Sequence, residues 1–204
     1  MSKEIKLTEA QLDALRELGS IGAGNAATAM SQLLGKTVMM SVPKIDIIPV
    51  EKVPLLMGEP ETLVVGVYLR VLGDVLGSML LSFPRDSAFS LVDVLMGRKA
   101  GSTKILSEID RSALKETGTI VAGAYLNALS SLTHRTLLPC TPNLAFDMMG
   151  AIVDYILIGL SQVIEFVIVL EVEFIEKETK VKGFFFILPD AESLNVILKS
   201  IGAE

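Results

Sequence analysis

Residues 13–20 read DALRELGS and residues 112–119 read SALKETGT. Asp13, Glu17, Ser20 and Pro43 return as Ser112, Glu116, Thr119 and Pro142, each 99 residues further on (112 − 13 = 99, and likewise for the other three). An ungapped recurrence that includes a carboxylate and a distant proline marks an internal duplication. It divides the chain into two repeats, about 8–97 and 107–202, expected to share one fold within a single domain spanning 1–204. The stretch from Arg98 to Lys104, with Gly101 and Ser102, is the seam between them.

The sequence around the two octets follows the same order in both repeats. Thr8 with Gln11, and more loosely Ser107 with Asp110, are capping-box starts for two long helices. At about 100° per residue, Leu15, Leu18, Gly22, Ala26, Ala29 and Leu33 share one side of the first helix. Leu114, Val121, Tyr125, Ala128 and Leu132 share one side of the second. Each helix is followed by an extended stretch, Thr37 to Val50 and Thr136 to Met148, interrupted by the repeated proline, which suits an edge strand or a bulge. A short apolar helical piece comes next, Val53 to Met57 and Met149 to Leu157. Two strands joined by a tight turn follow: Leu63 to Val71 with Gly77 to Phe83, and Val163 to Ile175 with Val181 to Leu188. Each repeat closes with a helix between a proline and a glycine, Pro84 to Gly97 and Pro189 to Gly202. The expected class is α+β: internally duplicated and pseudo-symmetric, with about six mainly antiparallel strands and two long helices packed on one face.

Composition narrows the setting. A net charge of −6 offers no basic field for a phosphate backbone, so nucleic acid is a poor partner and a basic protein surface a better one. Cys140 and His134 are each the only residue of their type, which excludes an internal disulfide and a cysteine or histidine metal cluster. The mean hydropathy of +0.55 raises the question of a membrane. The opening MSKEIKLTEAQLDALRE has no apolar signal core, and Ala151 to Leu170 carries Asp154, Gln162 and Glu165 where a spanning helix wants about twenty nearly uncharged residues. The chain is therefore expected in the cytoplasm, without membrane insertion.

The polar faces of the long helices hold the candidate site. Asp13, Glu17, Ser20, Gly24, Ala27 and Ser31 lie within about 40° of Asp13 around the axis, opposite the leucines. The second stripe is Ser112, Glu116, Thr119, Gly123, Leu126 and Ser130. Each sets a carboxylate and a hydroxyl a turn apart, followed by a small residue. Such a stripe is either an ordinary solvated face or a docking surface for another protein. Gly19, Gly22 and Gly24 in one helix cost about 1 kcal/mol each relative to alanine, so some close contact should compensate for them. Helix packing accounts for Gly22 but not for Gly24. Gly22, Gly24 and Ala27 also spell G-x-G-x-x-A with Asp46 beyond, but a dinucleotide fingerprint needs a strand entering it, and here a helix does.

The segments ELGSIGAGNAATA and ETGTIVAG, and the spacing Asp/Ser-x3-Glu with a proline beyond, resemble the CheC, CheX and FliY group of chemotaxis phosphatases, its CheC branch above all. The resemblance covers essentially the whole chain. It implies hydrolysis of the aspartyl phosphate of the response regulator CheY by insertion of a helix against the phosphorylation site. Glu17 and Glu116 would pair with a regulator lysine, and Ser20 and Thr119 complete the catalytic set. Asp13, Gly24, Ser112 and Gly123 would make the docking contacts. No cofactor of its own is implied, since the regulator carries the Mg2+; CheD is implied as a second partner.

At the decisive position the chain departs from the family. The motif places an asparagine there, to aim a water at phosphorus; Ser20 and Thr119 stand in its place. An amide donates and accepts at once and reaches one bond further than a hydroxyl. Asn25 and Asn127 lie off the stripes, Asn25 being expected to pack at the core edge. The open readings are a working phosphatase, an inactive or weak adaptor that binds phosphorylated CheY or CheD, and a structural module of a motility assembly.

Overall fold

A computed structural model of the chain describes residues 8–159 and 165–200. The opening residues 1–7, the expected strand start at Val163 and the expected helix end at Gly202 lie outside them. Helix α1 (Glu9–Leu34) begins at a complete capping box, in which the Gln11 amide donates to Thr8 Oγ1 at 3.3 Å and the Thr8 amide to Gln11 Oε1 at 2.7 Å. Helix α3 (Glu108–Thr133) begins in the same way, so the Ser107 and Asp110 pair is a full box and not a loose one. Both helices end on a left-handed residue 99 positions apart: Gly35 at φ 61° and His134 at φ 53°. His134 thus has a structural place, as a C-cap.

The strands are β1 (Met39–Pro49), β2 (Leu63–Gly73), β3 (Gly77–Pro84), β4 (Leu137–Pro139), β5 (Asn143–Met148), β6 (Phe166–Glu176) and β7 (Thr179–Pro189). They make one antiparallel sheet in the order β1-β6-β7-β3-β2-β4, with β5 also on β2. There are seven described strands where about six were expected, because the counterpart of β1 is broken at Cys140 to Pro142 into β4 and β5. In the first repeat the same proline is absorbed as a bulge between Ser41 and Lys44 of the edge strand β1. The two repeats exchange strands: β1 pairs with β6 of the second repeat, and β4 and β5 pair with β2 of the first.

Alternation along the strands sends side chains to two cores. Val65, Val67 and Leu69 of β2 and Ile168, Leu170 and Val172 of β6 face α1, α3, α2 (Arg85–Leu95) and α5 (Ala191–Ser200). Val64, Leu80, Val167, Val169 and Phe186 face α4 (Met149–Gly159) and two 3-10 turns, Val50–Lys52 and Pro54–Met57. The second turn stands where a short helix was expected. The two long helices lie together on the first face. No described helix is long and apolar enough to cross a membrane.

Leu33 is 56 % exposed although it shares the azimuth of the inward leucines. In that last turn Met30 and Leu34 supply the contacts with the core instead.

Candidate functional site

Glycines decide how the long helices meet. A Cβ on Gly22 would stand 2.5 Å from the Tyr125 ring, so α3 seats its tyrosine in the slot that glycine leaves in α1. The Tyr125 phenol donates to the carbonyl oxygen of Gly19 at 3.1 Å. Burial pushes its pKa well above the ordinary tyrosine range. Gly19 in turn faces Val42 and Ile45 of β1 and Leu170 of β6, beside the bulge at Pro43. Gly118, 99 positions on, packs on Val67 of β2, where any Cβ would clash. Gly118 is therefore what lets α3 come down onto the sheet, whereas at Gly19 a Cβ would make only ordinary contacts of 3.5–3.8 Å.

Gly24 and Gly123 differ from these: an added Cβ at either meets nothing within 4 Å. They are again 99 apart and lie on the stripes. Asp13, Glu17, Ser20 and Gly24 are exposed; Ser112 and Glu116 are exposed, with Thr119 and Gly123 half-buried. Both quartets share the helix layer built by α1 and α3.

Beyond the fourth position the stripes stop being surfaces. Leu126 is buried among apolar side chains and Ala27 packs against the core, so neither belongs to a free face. Ser31 exchanges two hydrogen bonds with the backbone of Val38, and Ser130 donates to the Arg135 carbonyl, so both hydroxyls hold the turn that follows their helix. Asn25, expected at the core edge, is exposed, as is Asn127.

The quartets are not identical. Asp13 is paired with Arg16 at 2.8 Å on the surface, an interaction that its sequence spacing of three allowed and that was not anticipated. Thr119 Oγ1 donates to the Lys115 carbonyl at 3.0 Å, committing its only proton to its own helix and leaving its lone pairs to accept. Glu17 and Glu116 make no ion pair among the described residues. Each is a carboxylate left to solvent or to a partner's cation.

The start of α3 is fixed by a buried polar cluster at the seam. Asp93, at the end of α2, accepts from the Thr103 hydroxyl at 2.6 Å, the Thr103 amide at 2.9 Å and the Ser102 amide at 3.0 Å. Arg98 reaches Asp110 at 2.8 Å by distance, though not in line for a hydrogen bond to that oxygen, and donates to Thr103 Oγ1. Burial pushes the Asp93 carboxyl up, but the Thr103 hydroxyl and the amides of residues 101–103 outweigh it and hold it below its ordinary value. Asp110 follows the same balance, with Arg98 and Ser107 as the lowering partners. The lone acid-for-glutamine difference between the two capping boxes is thus explained by Arg98.

A cavity of about 440 Å³ opens on the other face, lined by Tyr68, Asn143, Asp147, Ile152 and Tyr155 among others, and no stripe residue touches it. Among the described residues, no group of three histidine, cysteine or acidic side chains is placed to hold a metal. What the quartets offer is a pair of related helix faces, each with a carboxylate unpaired among the described residues, a hydroxyl and an open glycine in succession. Such a scaffold offers a partner protein one cation site and one close backbone approach on each helix.

The class suggested by this scaffold agrees with known proteins. The model of the CheC-like family matches residues 11–47, which contain the first quartet and Pro43. The CheY-P phosphatase CheC of Bacillus subtilis is 36 % identical over 201 residues, covering 97 % of this chain and 96 % of that protein. The putative CheY-P phosphatase CheC1 of Halobacterium salinarum is 27 % identical over 94 % of this chain and 96 % of its own length. In fold, the crystal structure of Thermotoga maritima FliY is similar at a TM-score of 0.76 and 22 % identity, over 97 % of this chain and 98 % of that one. The chain belongs to the CheC-like family.

Proposed function

We propose that this protein removes the phosphoryl group from the aspartate of a CheY-type response regulator in the cytoplasm, docking it on either quartet. The observation that carries this reading is the repeated, outward-facing set of an unpaired glutamate, a hydroxyl one turn on and a glycine with open space above it. Its relatives are named CheY-P phosphatases. Glu17 or Glu116 pairs with a lysine of the regulator and fixes the helix across the phosphorylation site. Gly24 or Gly123 lets the backbone come close. Ser20 or Thr119 accepts a hydrogen bond from a water that attacks phosphorus in line. The acyl-phosphate P–O bond breaks, the regulator's carboxylate is regenerated and inorganic phosphate leaves. Such a reaction needs positioning and charge stabilisation more than covalent help, and Mg2+ held by the regulator would supply the charge stabilisation.

A second reading is favoured by the Thr119 hydroxyl. With its proton given to Lys115 it accepts but does not donate outward, whereas an amide does both. On this reading the protein is a weak phosphatase or an adaptor that holds phosphorylated CheY, with CheD, which the resemblance implies, as a second partner. Both readings use the same docking faces. The test is a titration of phosphorylated, Mg2+-loaded CheY with the Glu17→Lys, Glu116→Lys double variant. At least ten-fold weaker binding than wild type is expected; unchanged affinity would defeat the docking role.

A further inference from the structure

Ile105 and Ile109 are 84 % and 66 % exposed, among the most exposed large apolar side chains described. They flank Ser107, the N-cap of α3, and the core takes neither: Leu106, between them, is the residue that turns inward at 7 % exposure. Ile109 lies about 60° around the axis from Ser112 and about 20° from Glu116, two turns or about 10 Å along the helix from that glutamate. It therefore extends the second quartet at its N-terminal end. The first quartet has no such extension, for the position equivalent to Ile109 is Ala10. Isoleucine gains the fold nothing when left in water, while a specific protein interface concentrates its affinity on a few side chains that become buried on binding. Glu108 and Glu116 are both exposed on the same face, so the complementary surface is an apolar patch with an ammonium group beside it.

We infer that Ile109, with Ile105, is the apolar anchor by which the phosphorylated response regulator is held on α3, and that the two docking helices are for this reason unequal. The inference rests on the docking reading above, and adds to it the residues that distinguish one face from the other. The regulator seats its apolar patch on Ile109 and its lysine on Glu116, so that one helix supplies both contacts. On α1 only the charge contact is present.

The test titrates full-length wild type, Ile105→Ala with Ile109→Ala, Ala10→Ile and Glu116→Lys with phosphorylated, Mg2+-loaded CheY, with thermal unfolding measured for each. The double alanine variant is expected to keep its unfolding temperature, its side chains being exposed, and to bind about ten-fold more weakly or worse. Ala10→Ile, which copies the anchor onto α1, is expected to tighten binding. If the double variant binds as wild type does while Glu116→Lys weakens, the anchor is wrong and the docking reading stands. If wild type fails to bind the regulator, both fall. A change from dimer to monomer in the double variant, with regulator affinity unchanged, would overturn the anchor in favour of self-association.

Discussion

The phenol of Tyr125 in α3 is hydrogen-bonded to the backbone carbonyl of Gly19 in α1, the residue immediately before Ser20. The second repeat therefore holds the first repeat's quartet in place, through a ring that fits only because residue 22 is glycine.

Gly22→Ala places a methyl carbon against that ring and must push the helices apart. Overpacking of this kind costs about 1–3 kcal/mol. Tyr125→Phe keeps the ring and loses only the hydrogen bond, for about 1 kcal/mol. Urea unfolding should rank the two in that order; a neutral Gly22→Ala would disprove the slot.

Gly24→Ala should do the reverse. Its Cβ meets nothing, and alanine is about 1 kcal/mol better than glycine inside a helix, so the isolated protein should become more stable. If the space belongs to the regulator, the same variant should bind phosphorylated CheY more weakly. Greater stability with unimpaired binding would remove Gly24 from the docking face.

His134 closes α3 in the left-handed conformation, where the first repeat has Gly35. Glycine carries no Cβ penalty there. His134→Gly is expected to stabilise the protein by about 1 kcal/mol, read as a higher midpoint in urea, with docking unaffected because the residue is off both quartets.

The seam cluster makes a pH prediction. Asp93 and Asp110 have lowered pKa values in the folded chain, so the unfolded chain takes up protons first as acid is added. Their stabilisation is complete above the unfolded carboxylate value of 3.8 and is lost as pH falls through the lower folded values. Asp93→Asn, which leaves donors at Ser102 and Thr103 facing a poorer acceptor, should cost about 1–3 kcal/mol at pH 7 and progressively less below pH 3.8. A cost that is the same at both ends of this range would contradict the assignment.

The duplication, the antiparallel class and the placement of both quartets on the outer faces of the long helices were legible in the sequence, because a constant offset and a 3.6-residue period are local signals. The exchange of β1 and β4/β5 between repeats was not, since pairings such as Met39 with Ile175 leave no mark in either strand alone. Leu126 shows the limit of a helical wheel: its azimuth matches the stripe, yet the neighbouring layer covers it. Azimuth alone put Gly22 on the packing side and Gly24 on the open one, but that the side chain seated against Gly22 is Tyr125 of the other repeat was not legible. The Arg16 partner of Asp13 and the Arg98 partner of Asp110 were within reach of charge spacing and position, but neither reads as preferred over solvent until the backbone is in place.

On the proposed function, these two helices accelerate phosphate loss from a regulator and the hydroxyls at 20 and 119 set the rate. The direct measurement is single-turnover phosphate release from phosphorylated, Mg2+-loaded CheY, with saturating wild type and with Ser20→Asn and Thr119→Asn. Wild type should release phosphate faster than the regulator does alone, and the asparagine variants faster again by about ten-fold or more, as restored positioning would give. Release no faster than that of the regulator alone, with wild type at saturation, would contradict it.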